Sequence, residues 1–233
     1  DTAIKNCLFI GDENNNGWSM RIQSDYAGTY EDCTAGKYAF GTTGGDASGT
    51  FINCTAGNYS FGSGSDATGT FIDCTAGTYS FAGTVSSGGE ASGTFTRCTA
   101  GENSFANEGT ASGTFTDCTA GQYSFGGSGT ASGTFTRCTG EDYCFGDDAA
   151  SGEFYDCTAG YVCFGGYNDE ASGEFHNCTG GQYAFASGSS GTASGQFYNC
   201  IGGDDSFGGA GGTASGTFDD CTGGNRAFGG AGG

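Results

Sequence analysis

The sequence predicts an all-β protein: a single-stranded parallel β-helix of about eleven rungs, each of about 20–22 residues with three short strands. Three observations carry this. The stretch Ala-Ser-Gly-Thr-Phe-Thr-Asp-Cys-Thr-Ala-Gly-Gln-Tyr-Ser-Phe-Gly-Gly (111–127) returns along the chain in nearly the same words. Aligned on Phe-x-x-Cys, the cysteines stand at 33, 54, 74, 98, 118, 138, 157, 178, 200 and 221, with Cys7 in the same frame. The composition has 50 Gly and no Pro, but also 20 Phe and 12 Tyr. Missing Pro and a missing Gly-X-Y period exclude collagen, and evenly spaced aromatics argue against disorder. A rung of this length cannot bury its own apolar face, and stacking copies solves that problem. Eleven rungs at strand spacing make a rod on the order of 50 Å long.

Within a rung the first strand is expected over Ala111–Phe115, with Ala111, Gly113 and Phe115 on one face. Asp117 then breaks the alternation. Its counterparts are Asn6, Asp32, Asn53, Asp73, Asp156, Asn177, Asn199 and Asp220, residue types that tolerate a left-handed bend. Arg97 and Arg137 depart from the pattern, so a bend that is not strictly left-handed is expected in those two rungs. The second strand is expected over Cys118–Ala120, ending at Gly121. The third is expected over Tyr123–Phe125, with both rings inward and Ser124 outward, before a Gly-rich loop of variable length that absorbs insertions such as 84–90.

The domain reading is a divergent first rung over 1–28 and a regular array over 29–233. In the first rung Trp18-Ser19-Met20 replaces Tyr-Ser-Phe, making it a candidate partial cap or joint. The array is expected to be uncapped after Phe228. The chain begins at Asp1 rather than Met, as expected of a processed chain or a piece of a longer one. With Lys+Arg 6 against Asp+Glu 26, the net charge of −20 argues against nucleic acid and anionic membranes, which need basic patches. No apolar run is long enough to span a bilayer.

Phe-x-Asp/Asn-Cys, an inward Cys after a turn residue, resembles the right-handed pectate-lyase-like β-helices. The wider pattern, Ala-Ser-Gly-Thr-Phe-x-x-Cys-Thr-x-Gly-x-Tyr-Ser-Phe-Gly-Gly, is similar to Gly-rich arrays in predicted tail-fibre proteins of marine bacteriophages and in large bacterial surface proteins. The resemblance implies a right-handed coil, as the general preference for right-handed parallel crossovers does. It also implies an extracellular or virion setting and, for phage fibres, closed trimers.

Thirteen cysteines without any Cys-x-x-Cys do not read as a metal framework. Cys7, Cys33, Cys54, Cys74, Cys98, Cys118, Cys138, Cys157, Cys178, Cys200 and Cys221 share one repeat position and are expected as a buried thiol ladder. Cys144 and Cys163 replace the serine of Tyr-Ser-Phe in consecutive rungs and are expected side by side on the surface, where a disulfide is an option in an oxidising compartment. No cofactor or metal is assigned. Asp147-Asp148, Asn168-Asp169-Glu170 and Asp204-Asp205 are acidic loop tips with oxygen ligands suited to Ca²⁺, or simply solvated.

The outward face of the first strand changes character along the rod. Ser92, Thr94, Thr96, then Ser112, Thr114, Thr116, then Ser132, Thr134, Thr136 form a hydroxyl array that resembles insect-type ice-binding faces. Ile52 and Ile72 precede it and Glu153 follows it. From there the face reads Glu153, Tyr155, Glu174, His176, Gln196 and Tyr198, rings beside hydrogen-bonding groups, as a glycan-binding strip requires. Glu153 and Glu174 are the candidate catalytic pair of a glycan-hydrolysing alternative, one rung apart and near the ~5–5.5 Å of a retaining glycosidase.

The leading expectation is a non-enzymatic structural rod of an extracellular or virion fibre with a role in surface attachment. Its partners are copies of itself, end to end or as a trimer, and cell-surface glycan. A carbohydrate-binding or depolymerising β-helix is the alternative, and an ice-binding solenoid the remote one.

Overall fold

Thr-Phe-Thr is a strand in miniature: two β-branched residues face out and one ring faces in. In the computed structural model, which describes residues 3–9, 28–41, 45–83, 88–209 and 211–229, these strands stack into one parallel sheet eleven strands deep. The sheet runs from Ile4–Lys5 to Thr217–Asp219, one strand per rung, and the described residues contain no helix. Register is like-on-like: Thr114, Phe115 and Thr116 pair with Thr134, Phe135 and Thr136 on one side and with Thr94, Phe95 and Thr96 on the other. A second ladder follows the cysteine, through Thr99–Ala100, Thr119–Ala120 and Thr139–Gly140, and single bridges continue it to Thr34 and Thr222. A third sheet of six two-residue strands runs from Thr110–Ala111 to Thr213–Ala214. The expected β-solenoid is therefore the observed fold.

The strands within a rung are not where simple alternation puts them. Ala-Ser-Gly-Thr-Phe is two strands on two sheets, broken at Ser112-Gly113. Ser112 lies in that break and belongs to neither sheet, so it does not share a strand face with Thr114. The glycine is required by closeness of approach. A Cβ on Gly133 would fall inside contact distance of the Gly113 carbonyl oxygen, and the same clash recurs at Gly93, Gly113, Gly152 and Gly173.

The second corner is left-handed at every rung. Asp117 has φ 55°, and Arg97 and Arg137 both have φ 52°, so the milder bend expected at the arginines is corrected. The backbone explains it: Arg97 donates its amide to the Thr116 carbonyl at 2.8 Å, as Asp117 does to Thr136 at 2.9 Å. The neighbouring rungs impose the conformation. The guanidinium then grips the aspartate one rung before it, Arg97 Nε and Nη2 meeting Asp73 at 2.6 and 2.8 Å.

Tyr123–Phe125 forms no strand. Tyr123 and Phe125 both have φ 53°, which inverts the facing that an extended chain would give. Phe125 and Ser124 are buried, while Tyr123 lies at the surface, part-exposed. The inward serine has a purpose. Its Oγ accepts the Ser104 amide at 3.2 Å, and Ser104 and Ser80 do the same for the rungs before them at 3.2 and 3.3 Å. These are amides that the kinked backbone cannot pair with carbonyls, and an unpaired buried amide is costly.

Two columns of rings fill the core. Phe95 and Phe115 stack with centroids 4.7 Å and planes 3° apart, and Phe105 meets Phe115 edge-on at 5.7 Å and 90°. The herringbone runs from Tyr30 to Phe228, Tyr30 taking a phenylalanine's place. Each buried ring contributes about 1.5–3 kcal/mol of burial, and each favourable pair about 0.5–1.5 more. The sequence features at Trp18 and Met20, residues 84–87 and the tail after Gly229 lie outside the described residues.

Gly133→Ala is expected to lower stability by roughly 2–4 kcal/mol, while Ser132→Ala, one residue away and exposed, stays within about 0.5 kcal/mol. Denaturant unfolding followed by circular dichroism checks both.

Candidate functional site

All thirteen cysteines are free thiols. Cys33, Cys54, Cys74, Cys98, Cys118, Cys138, Cys157, Cys178 and Cys200 are buried in one ladder, and Cys7 and Cys221 in the first and last described rungs are part-exposed. Each thiol is tied to backbone: Cys118 Sγ donates toward the Phe95 and Thr116 carbonyls at 3.5 and 3.4 Å. Cys144 and Cys163 are fully buried, which corrects their expected place on the surface. They occupy the inward serine position, turned in by the left-handed residues on either side. Burial pushes the Cys144 thiol up to about 12 and raises Cys157, Cys163 and Cys178 as well.

The acidic segments are not uniform. Asp205 is fully buried rather than a loop tip. It occupies a left-handed position in the third corner, and Arg226 of the next rung donates Nη2 to its Oδ2 at 2.6 Å. Asp204 Oδ1 accepts the Asn225 amide at 2.7 Å. Asp148 and Glu170 are exposed, and Glu170 accepts from Ser194 at 3.0 Å. Among the described residues no three His, Cys, Asp or Glu side chains converge as a metal site.

On the outer face of the first sheet, Glu153 pairs in register with Glu174 and Glu174 with Gln196, while Tyr155, His176 and Tyr198 form the adjoining column. The structure brings all six candidate residues into one strip. The rings stack on one another, Tyr155 on His176 at 5.0 Å and His176 on Tyr198 at 4.7 Å. Each ring is also held by the residue two before it: His176 Nε2 lies 2.6 Å from Glu174 Oε1, and Tyr198 donates its hydroxyl to Gln196 at 3.0 Å. The Tyr155 hydroxyl is raised by burial first and then by the charges of Glu153 and Glu174. A sugar laid on this strip meets ring edges and carboxylates, because the ring faces within the column are turned to each other.

The hydroxyl array is larger than the sequence reading made it. Thr29, Thr50, Thr70, Thr94, Thr114 and Thr134 stand in one unbroken column, with Thr96, Thr116 and Thr136 beside its later members. On the second ladder Thr34, Thr55, Thr75, Thr99, Thr119, Thr139, Thr158 and Thr179 are all exposed and stacked. The signal for this second column is the Cys-Thr dipeptide, which lies outside the Ser-x-Thr-x-Thr pattern.

In the folded chain, a thiol reagent such as DTNB is expected to reach no more than Cys7 and Cys221, and unfolding in guanidinium to release all 13 thiols. Rapid native labelling of Cys144 or Cys163 would contradict the placement of that corner.

The chain matches no protein-family model, no curated protein and no solved structure.

Proposed function

We propose that this chain is a structural, non-enzymatic β-helical rod: a segment of an extracellular or virion fibre that holds an attachment element away from a surface, or that polymerises by end-to-end stacking. The observation that carries this reading is the unbroken register of the first sheet, eleven parallel strands with one inward aromatic ring over the next from Tyr30 to Phe218. Such a body is stiff along its axis because bending it must shear every ladder at once. The partner in this reading is another copy of the same rungs, end to end as a filament or within a trimeric fibre. Cell-surface glycan meeting the Glu153–Tyr198 strip is a secondary partner.

Electron microscopy of the purified chain over a range of concentrations tests the reading. Rods of one width that lengthen with concentration are expected for a filament, and short rods or threefold bundles of fixed length for a fibre shaft. Compact particles with no rod axis would overturn both.

One observation favours a second reading. The threonine columns place hydroxyls and methyls on a regular two-dimensional lattice, about 4.8 Å between rungs and about 6.6–7 Å along a strand. An ordered array of this kind suits a layer of ordered water, hence an ice surface. Thermal hysteresis in the wild-type chain that disappears in Thr116→Lys is expected on this reading, and its absence in the wild type removes it.

A further inference from the structure

An outer column of tyrosines runs beside the buried serines. Tyr38, Tyr59 and Tyr79 stack at 5.1 Å, and Tyr123 lies on Tyr143 at 4.7 Å with planes 3° apart. Asn103 interrupts this column between Tyr79 and Tyr123, and Val162 interrupts it again after Tyr143. Val162 stands between Tyr143 and Tyr183, which are two rungs and therefore roughly 9.6 Å apart. Tyr161, one residue earlier, turns its ring edge-on to both, at 5.7 Å and 76° from Tyr143 and at 5.4 Å and 89° from Tyr183. Tyr167 comes from the next loop and stands edge-on to Tyr183 at 5.6 Å and 85°. Four tyrosines, Val162 and Asp147 thus line one open cavity of about 430 Å³. Two of the rings, Tyr161 and Tyr167, are more than a third exposed at its mouth.

We propose that this cup is a binding site for an alkylated ammonium group, held by cation–π contact with Tyr143, Tyr161, Tyr167 and Tyr183 and by the charge of Asp147. The chemistry of the walls selects the ligand class. Calcium needs six to eight oxygens and a primary ammonium has three N–H groups to satisfy, whereas the cup lines up aromatic rings and a single carboxylate. A cation that carries methyl groups in place of N–H donors is satisfied by ring faces and one counter-charge. The same tyrosine column already receives an ammonium elsewhere: Lys37 Nζ lies 6.0 Å from the Tyr38 ring centre and 5.9 Å from that of Tyr59. At the cup no lysine or arginine of the described residues forms an ion pair with Asp147.

The surroundings of Asp147 give the site a pH signature. The groups that face it are Asp148, Asp169 and the cup's tyrosines, together with the Tyr167 amide. Burial, then the charges of Asp169 and Asp148, push its carboxyl up to about 6. It is protonated below that value and charged above it, so cation binding strengthens as pH rises from 5 to 8.

Titration with tetramethylammonium chloride, followed by isothermal calorimetry and by tyrosine NMR shifts, tests the site. Saturable binding in the range of roughly 1–10 mM at pH 8 is expected, with tert-butanol, the neutral analogue of similar shape, not saturating. Asp147→Asn should weaken binding about tenfold and remove its dependence on pH between 5 and 8. Val162→Tyr, which restores the residue found at Tyr143 and Tyr183, should close the cup, and Tyr167→Ala should remove a wall. Both should keep the circular dichroism of the parent. No saturation by 100 mM, equal binding of tert-butanol, retention of affinity in both cup variants, or displacement by millimolar CaCl₂ would each overturn the assignment.

Discussion

Each strand of this protein is hydrogen-bonded in register to its own counterpart, so the nearest neighbours of most side chains are like residues about 4.8 Å above and below. That single constraint decides what each position tolerates. Aromatic rings meet it well, because their stacked separations of 4.7–5.1 Å match the rung spacing without strain. Charges meet it badly, since like charges at that distance repel at every step. The exposed corner column shows how this is managed. It reads Asn6, Asp32, Asn53, Asp73, Arg97, Asp117, Arg137, Asp156, Asn177, Asn199 and Asp220, and no aspartate has another aspartate next to it. Asn53 donates to Asp32 at 2.7 Å, Asn177 to Asp156 at 2.9 Å, and the two arginines clamp the aspartates before them. The arginines at a left-handed bend, which look misplaced in one rung, are explained only by the rung below.

The same constraint separates what could be read in the sequence from what could not. The Phe-x-x-Cys period, the inward phenylalanine of Thr-Phe-Thr and the position of the left-handed Asp117 follow from repetition and residue type. The corner at Tyr123-Ser124-Phe125 does not. Alternation assumes an extended chain, and a bulky aromatic at positive φ is among the rarest of backbone states. Here two occur in six of the described rungs and one in four others, at a cost of about 1–2 kcal/mol each, and they persist because adjacent rungs hold the same shape. The error carried over to Cys144 and Cys163, whose facing depends on those two angles. Ser-Gly in the Ala-Ser-Gly-Thr-Phe segment misled differently. It looks like strand until the carbonyl of the previous rung is placed where a Cβ would be.

A solenoid whose columns repeat offers little to distinguish one surface position from the next. Threonine columns arise from strand preference alone as readily as from selection for a ligand. Departures from a column are more informative, and two of this chain's fall within one rung. At Glu153 the threonine columns give way to acids, an amide and rings. At Tyr161-Val162 the stacked tyrosine column gives way to an edge-on ring beside an open cavity. The first departure is closed on itself: His176 is held by Glu174, Tyr198 by Gln196, and the three rings by each other. Its groups would have to exchange these contacts for those of a ligand.

The second departure is not closed. Lys5, Arg97, Arg137 and Arg226 are each paired with an acid, and Lys37 lies over tyrosine rings. The cations of the described residues are thereby engaged elsewhere, in a chain whose net charge is −20. Asp147 is left half-buried among Asp148, Asp169 and four rings, with its charge opposed by both burial and neighbours. A carboxylate in such a place is costly to the bare fold and favourable to any cation that enters. The regular columns account for the rod, and the valine that breaks one of them makes the place where a positively charged ligand gains most.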